Sequence, residues 1–155
     1  MTLYEMIEKM EIFKNFSVDE KKRVCQIGHS LVEFKKGDII IKEGKQFKSI
    51  YLLLKGSALI TKKSNSATIR LSKLTSGEIF GEMSFFSDKP RRTTVVANSD
   101  VLVMKMDEDF FQKLSPELQN KIKDYLISLL INRLDYMNDS IINISIISSS
   151  LCWFF

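Results

Sequence analysis

Residues 77–94 read Gly77-Glu78-Ile79-Phe80-Gly81-Glu82-Met83-Ser84-Phe85-Phe86-Ser87-Asp88-Lys89-Pro90-Arg91-Arg92-Thr93-Thr94. Gly77 and Gly81 open backbone angles closed to other residues and let the chain approach a ligand closely. Residues 82–86 suit a short helix, whose first amide N–H groups lack partners and attract an anion. Arg91 and Arg92 then supply guanidinium forks matched to phosphate. Strand-like segments lie on both sides, so the stretch reads as a phosphate cradle set in a tight connection of a β fold.

On the N-terminal side of the cradle, Ile39 and Ile41, Tyr51 and Leu53, and Ala58 and Ile60 pair at strand spacing. Lys36-Gly37, Glu43-Gly44, Lys55-Gly56 and Ser64-Asn65 break the runs. Further strands are predicted over 68–74, 93–97 and 101–106. Short strands broken by turn residues at this spacing predict an antiparallel sandwich or jelly roll of about eight strands.

Helical spacing flanks the roll. Leu3, Met6, Ile7 and Met10 predict an amphipathic helix over about residues 2–11, with Ile12, Phe13 and Phe16 as apolar anchors at the following turn. Ser17-Val18-Asp19-Glu20 is a capping box. It starts a helix that should bury Val24 and Ile27 and stop at Gly28. Phe110, Phe111 and Leu114 predict a short helix, and Ser115-Pro116 caps a longer one running to about Asn138. Its wide apolar stripe can cover the roll, meet another subunit, or both. Residues 140–155 carry no charge and end Leu-Cys-Trp-Phe-Phe. That is too short for a bilayer span, leaving a weakly packed tail, a contact surface for another chain, or an interfacial membrane contact.

Composition narrows the function. With 155 residues, 45% hydrophobic and 27% charged, the chain suits one soluble domain. The net charge of +4 is spread over scattered basic pairs, a solvated surface rather than a nucleic-acid footprint. No basic segment followed by an apolar run opens the chain. Cys25 and Cys152 lack CxxC spacing, which fits reduced thiols in a cytoplasmic compartment. His29 is the single histidine. Metal-dependent roll enzymes need clustered histidines and carboxylates, and no serine or cysteine has a nearby base pattern. The expectation is a binding module and not an enzyme.

Helix, roll and long terminal helix around this cradle resemble the cyclic nucleotide-binding domain family. The resemblance rests on Phe34-Lys-Lys-Gly-Asp-Ile-Ile40, Glu43-Gly44, Tyr51-Leu-Leu-Leu-Lys-Gly56, and Phe80-Gly-Glu-Met-Ser-Phe-Phe86 with Pro90-Arg91 following. It covers about Phe13 to Tyr136. It implies a mainly β domain over 1–139: an eight-stranded antiparallel jelly-roll barrel with N-terminal helices, a short phosphate-binding helix and a long C-terminal lid helix. The apolar tail, 140–155, follows.

It also implies a ligand, cyclic AMP or cyclic GMP, with no further cofactor, bound by a stand-alone sensor that signals through movement of the C-terminal helix. Glu82 looks like the acceptor for the ribose 2′-hydroxyl. Met83 and Ser84 resemble the pair whose backbone amides reach the cyclic phosphate. Gly81 looks like the residue that keeps the wall clear of the sugar, and Arg91 like the phosphate arginine. The alternatives are a surface turn with an ion pair for Gly81, Glu82 and Arg91, a helix cap for Ser84, and core filling for Met83. Arg92 departs from the family, which commonly has a small or hydroxylated residue there. It can add a phosphate contact, pair with an acid, or face solvent, with Thr93 next to it in the candidate site. This departure leaves the base preference open and a cyclic dinucleotide conceivable.

Asn132, Arg133 and Tyr136 fall near the implied lid, where a packing or solvent-facing role competes with a base contact. A protein partner or homodimer through the C-terminal helix is expected. Direct DNA binding is not, because about fifteen residues after the long helix are too few for a helix-turn-helix. The competing function is an assembly domain of the same fold without a ligand, or a fragment of a larger regulator.

Overall fold

The computed structural model describes residues 1–27 and 30–152, with the side chains of the last helix described through Ile144. The helix stop at Gly28, the turn at His29 and the Trp153-Phe154-Phe155 ending lie outside the described residues. The chain forms two units, Met1–Gln119 and Asn120 onward.

The first unit opens with helix α1 (Leu3–Glu8), capped reciprocally by Thr2 and Glu5. This helix is shorter than its apolar spacing predicts, because Glu11–Phe13 tightens into a 3-10 turn that buries Ile12 and Phe13. Helix α2 (Val18–Gln26) starts at the expected capping box: Glu20 N–H donates to Ser17 Oγ and Ser17 N–H to Glu20 Oε2. Val24 is fully buried and Ile27 half-buried.

Eight strands follow: β1 (Leu31–Phe34), β2 (Ile39–Ile41), β3 (Ile50–Lys55), β4 (Ala58–Ser64), β5 (Ala67–Leu74), β6 (Ile79–Phe80), β7 (Thr94–Ala97) and β8 (Val101–Met106). They pair antiparallel in two four-stranded sheets, ordered β1-β8-β3-β6 and β2-β7-β4-β5. This is a double-sheet jelly roll. The expected closed barrel is corrected: among the described residues no ladder joins one sheet to the other. With β6 of two residues and β2 of three, neither reaches far enough to pair in both sheets. The core instead lies between the sheets, where Leu53, Phe80, Val101 and Val103 meet Ile41, Ala58, Val95 and Ala97.

Between β6 and β7 sits helix α3 (Met83–Phe86), and after β8 comes α4 (Glu108–Gln112), capped by Asp107 as the Phe110 N–H donates to its Oδ1. Phe85 packs on Phe111 with ring centroids 5.0 Å apart, which ties α3 to α4.

Helix α5 (Pro116–Cys152) begins in the first unit and makes up the second. It runs well beyond Asn138. Residues 139–152 contain no proline or glycine, and serine and asparagine cost a helix only about half a kcal/mol each. Ser140 fits by donating from Oγ to the Tyr136 carbonyl at 2.9 Å. No described helix is long and apolar enough to cross a membrane.

Candidate phosphate cradle

The cradle is built on Arg91. Its backbone is clamped from both directions, with Arg91 N–H donating to the Lys45 carbonyl and Gly44 N–H to the Arg91 carbonyl, both at 2.8 Å. Lys48 Nζ reinforces this closure by pairing with Asp88 at 2.6 Å. The pair is exposed, and it holds Asp88 below and Lys48 above their ordinary pKa values through a shared hydrogen bond. The loop after β2 is thereby laced to the loop before β7.

So anchored, the Arg91 side chain turns inward and is only 4% exposed. Nη1 donates to the Gly81 carbonyl and Nη2 to the Ser49 carbonyl, each at 2.6 Å. Nε is buried with no acceptor. None of the ion pairs among the described residues involves Arg91. Burial lowers its pKa from the usual guanidinium value, with Tyr51 partly offsetting. Tyr51 stacks on Phe80, centroids 5.3 Å apart, and burial raises its phenol pKa. A buried cation held only by carbonyls, with an idle donor, is an incomplete arrangement: such charges are ordinarily paired.

The other expected residues divide by environment. Gly81 has φ +80, a conformation that favours glycine, and touches the guanidinium through its carbonyl. Glu82, the residue after Gly81, is buried, and Ser84 is at the edge of burial. Ser84 lies inside α3 and Glu82 takes the N-cap position, so capping is not the role of Ser84. Met83 is 59% exposed, which rules out core filling. Among the described residues no acceptor takes the Met83 or Ser84 amide N–H. Arg92 is exposed; its carbonyl accepts from Lys62 Nζ at 2.7 Å, while Lys62 also pairs with Glu43. Thr93 is half-buried at the entry to β7.

The structure therefore brings Gly81 and Arg91 into contact, buries Glu82 next to Gly81 in the chain, and leaves the Arg92 side chain exposed. Sequence reading missed Ser49, Lys45 and Ile41. Ser49 and Lys45 act through backbone carbonyls, for which side-chain identity carries no signal. Ile41 contributes a methyl against Gly81, and its strand pattern marked it only as core.

Comparison with known proteins identifies the family. The family model described as "Cyclic nucleotide-binding domain" matches residues 31–116, and the chain belongs to that family. A cAMP-dependent protein kinase regulatory subunit of Debaryomyces hansenii is 29% identical over 113 residues, covering 72% of this chain and 24% of that protein. Its counterpart in Yarrowia lipolytica is 33% identical over 88 residues, covering 57% of this chain and 23% of that protein. The chain thus spans about a quarter of the length of the curated relatives it matches. A cyclic nucleotide-binding domain from Methylobacillus flagellatus superposes with a TM-score of 0.74 at 26% identity, covering 90% of this chain and 80% of that one. The Thermus thermophilus catabolite activator protein shares the fold, with a TM-score of 0.72 at 21% identity over 86% of this chain and 62% of its own.

Proposed function

We propose that this chain is a regulatory module that binds cyclic AMP at the cradle around Arg91. The observation that carries the reading is the buried Arg91 guanidinium, with its idle Nε and, among the described residues, no ion pair. A cyclic phosphate is a compact monoanion. It supplies both the missing counter-charge and an acceptor, and charge-assisted contacts of this kind are the strong ones. The free Met83 and Ser84 amides would take further phosphate oxygens, and Glu82 the ribose hydroxyl. Gly81 keeps the wall open, while Arg92 and Thr93 line the rim. Cyclic AMP is favoured over cyclic GMP by the cAMP-dependent relatives. A structure titled as a cyclic AMP analogue, Sp-2Cl-cAMPS, bound to a protein kinase A regulatory domain also superposes with a TM-score of 0.67 at 25% identity, covering 88% of each chain. Calorimetric titration with cyclic AMP, cyclic GMP and cyclic di-AMP tests the assignment. Tightest binding of cyclic AMP is expected; silence from all three up to about 1 mM would sink it.

Occupancy is read out, in this proposal, through α5 to a protein partner, and a second copy of the chain is the first candidate. Ile127, Leu130, Leu134, Met137, Ile141 and Ile144 repeat at alternating steps of three and four along α5. All but the half-buried Leu130 are at least 51% exposed. That is the seam of a two-helix coiled coil. Sedimentation should show a dimer at micromolar concentration that Leu134→Glu with Ile141→Glu dissociates at least about tenfold more readily. A wild-type chain that stays monomeric would redirect the seam to a different protein.

A further inference from the structure

The second sheet ends on β5, and among the described residues only β4 pairs with it. Every residue from Ala67 to Lys73 is exposed, including Ile69 at 47% and Leu71 at 54%. An edge strand of this kind points about half of its N–H and C=O groups outward, a template for one more strand.

The register fixes the charge of that edge. Thr61 lies opposite Arg70, Leu59 opposite Lys73 and Lys63 opposite Thr68, with a bulge that leaves Leu71 without a partner in β4. Leu59, Thr61 and Lys63 alternate onto one face, so Lys63, Arg70 and Lys73 share it. The other face carries Ala58 and Leu74 into the core and Ile69 further out along it. No aspartate or glutamate occurs anywhere in residues 58–74. Lys62 is occupied by Glu43 and the Arg92 carbonyl, and the Lys63 backbone N–H donates to the same carboxylate. Arg70 and Lys73 take part in no ion pair among the described residues. Basic edges of two copies repel each other, since like charges placed opposite are destabilising. The same charges attract a strand that carries carboxylates.

We propose that β5 is a docking edge for an extended acidic segment of a protein partner. The segment adds as a strand beside Ala67–Lys73, placing alternate carboxylates on the face of Arg70 and Lys73 and the intervening apolar side chains on the face of Ile69. Backbone hydrogen bonds provide affinity and the alternating pattern provides selectivity, as in other strand-addition sites.

Fluorescence anisotropy with a labelled eight-residue peptide of alternating glutamate and valine, titrated with the full chain, tests this. Saturable binding is expected. It should weaken at least about tenfold with R70E/K73E, and by a similar factor when alternate peptide amides are N-methylated and can no longer donate. Cyclic AMP affinity of R70E/K73E should stay within about twofold of wild type, which shows the variant to be folded. Amide hydrogen exchange across Ala67–Lys73 should slow in the complex. Equal binding of the N-methylated peptide, or of a lysine–valine peptide, would overturn strand addition. So would binding of phosphatidylserine vesicles through Arg70 and Lys73 by a chain that ignores the peptide.

Discussion

Replacing Arg91 with alanine is expected to weaken cyclic AMP binding by at least ~30-fold, or about 2 kcal/mol. A hydrogen bond to a charged group is worth about 1.5–3 kcal/mol. This fork sits at 4% exposure, where water screens little of its attraction for an anion. The substitution also has a cost in the empty protein. It removes donors from the half-buried Gly81 carbonyl and the buried Ser49 carbonyl, and losing the partner of a buried acceptor costs about 1–3 kcal/mol. Against that, it removes a cation whose burial is itself unfavourable, as the lowered pKa of Arg91 records. The two effects oppose each other in the unliganded fold and not in the complex, so affinity should fall more than stability. Arg91→Lys separates charge from geometry: it keeps the cation, loses the fork and should lie between the two. Arg92→Ala, by contrast, should change affinity by no more than about threefold, because its side chain is exposed. Titration calorimetry well below the melting temperature decides. Unchanged affinity in Arg91→Ala would move the phosphate to Arg92 or to another pocket.

That contrast between adjacent arginines marks the limit of what could be read from the sequence. Residue type told that both could meet phosphate, and the resemblance preferred Arg91. What separates them physically is the lacing of residues 44–49 to residues 88–91, pairings at least forty positions apart that no local pattern encodes. Local signals fared better where the physics is local. Ser17 and Glu20 satisfy each other across three residues, and Ser115-Pro116 starts α5 at the expected place. Strand β4 lies where the Ala58–Ile60 pair puts it, and β8 spans the predicted 101–106. The end of α5 was misjudged for a related reason. Asn143 and Ser148–Ser150 interrupt the apolar pattern, but neither residue type stops a helix. Without proline or glycine the backbone ladder continues.

The second large effect falls on Gly81. Gly81→Ala is expected to destabilise the first unit by about 2–4 kcal/mol and to weaken cyclic AMP at least about tenfold. At φ +80 a methyl-bearing residue already sits about 1–2 kcal/mol above its relaxed conformation. The added Cβ would also stand 2.8 Å from Arg91 Nη1, 3.0 Å from Ile41 Cδ1 and 3.1 Å from the Ser49 carbonyl. A flexible side-chain end ordinarily yields to such a methyl. Here it cannot yield freely, since Nη1 is bonded to the carbonyl of Gly81 itself and Nη2 to the Ser49 backbone. Relief therefore comes by displacing the guanidinium, and the phosphate contact goes with it. Gly44→Ala is the matched control. It has φ +86 and open space around the built Cβ, so it carries the backbone strain without the collision. Thermal melts should show both variants lowered, Gly81→Ala further, at about 2–4 °C per kcal/mol for a chain of this size. Calorimetry should show only Gly81→Ala losing affinity. Equal affinities in the two variants would mean that the methyl and the guanidinium coexist, and that Gly81 serves the turn without keeping space for the ligand contact.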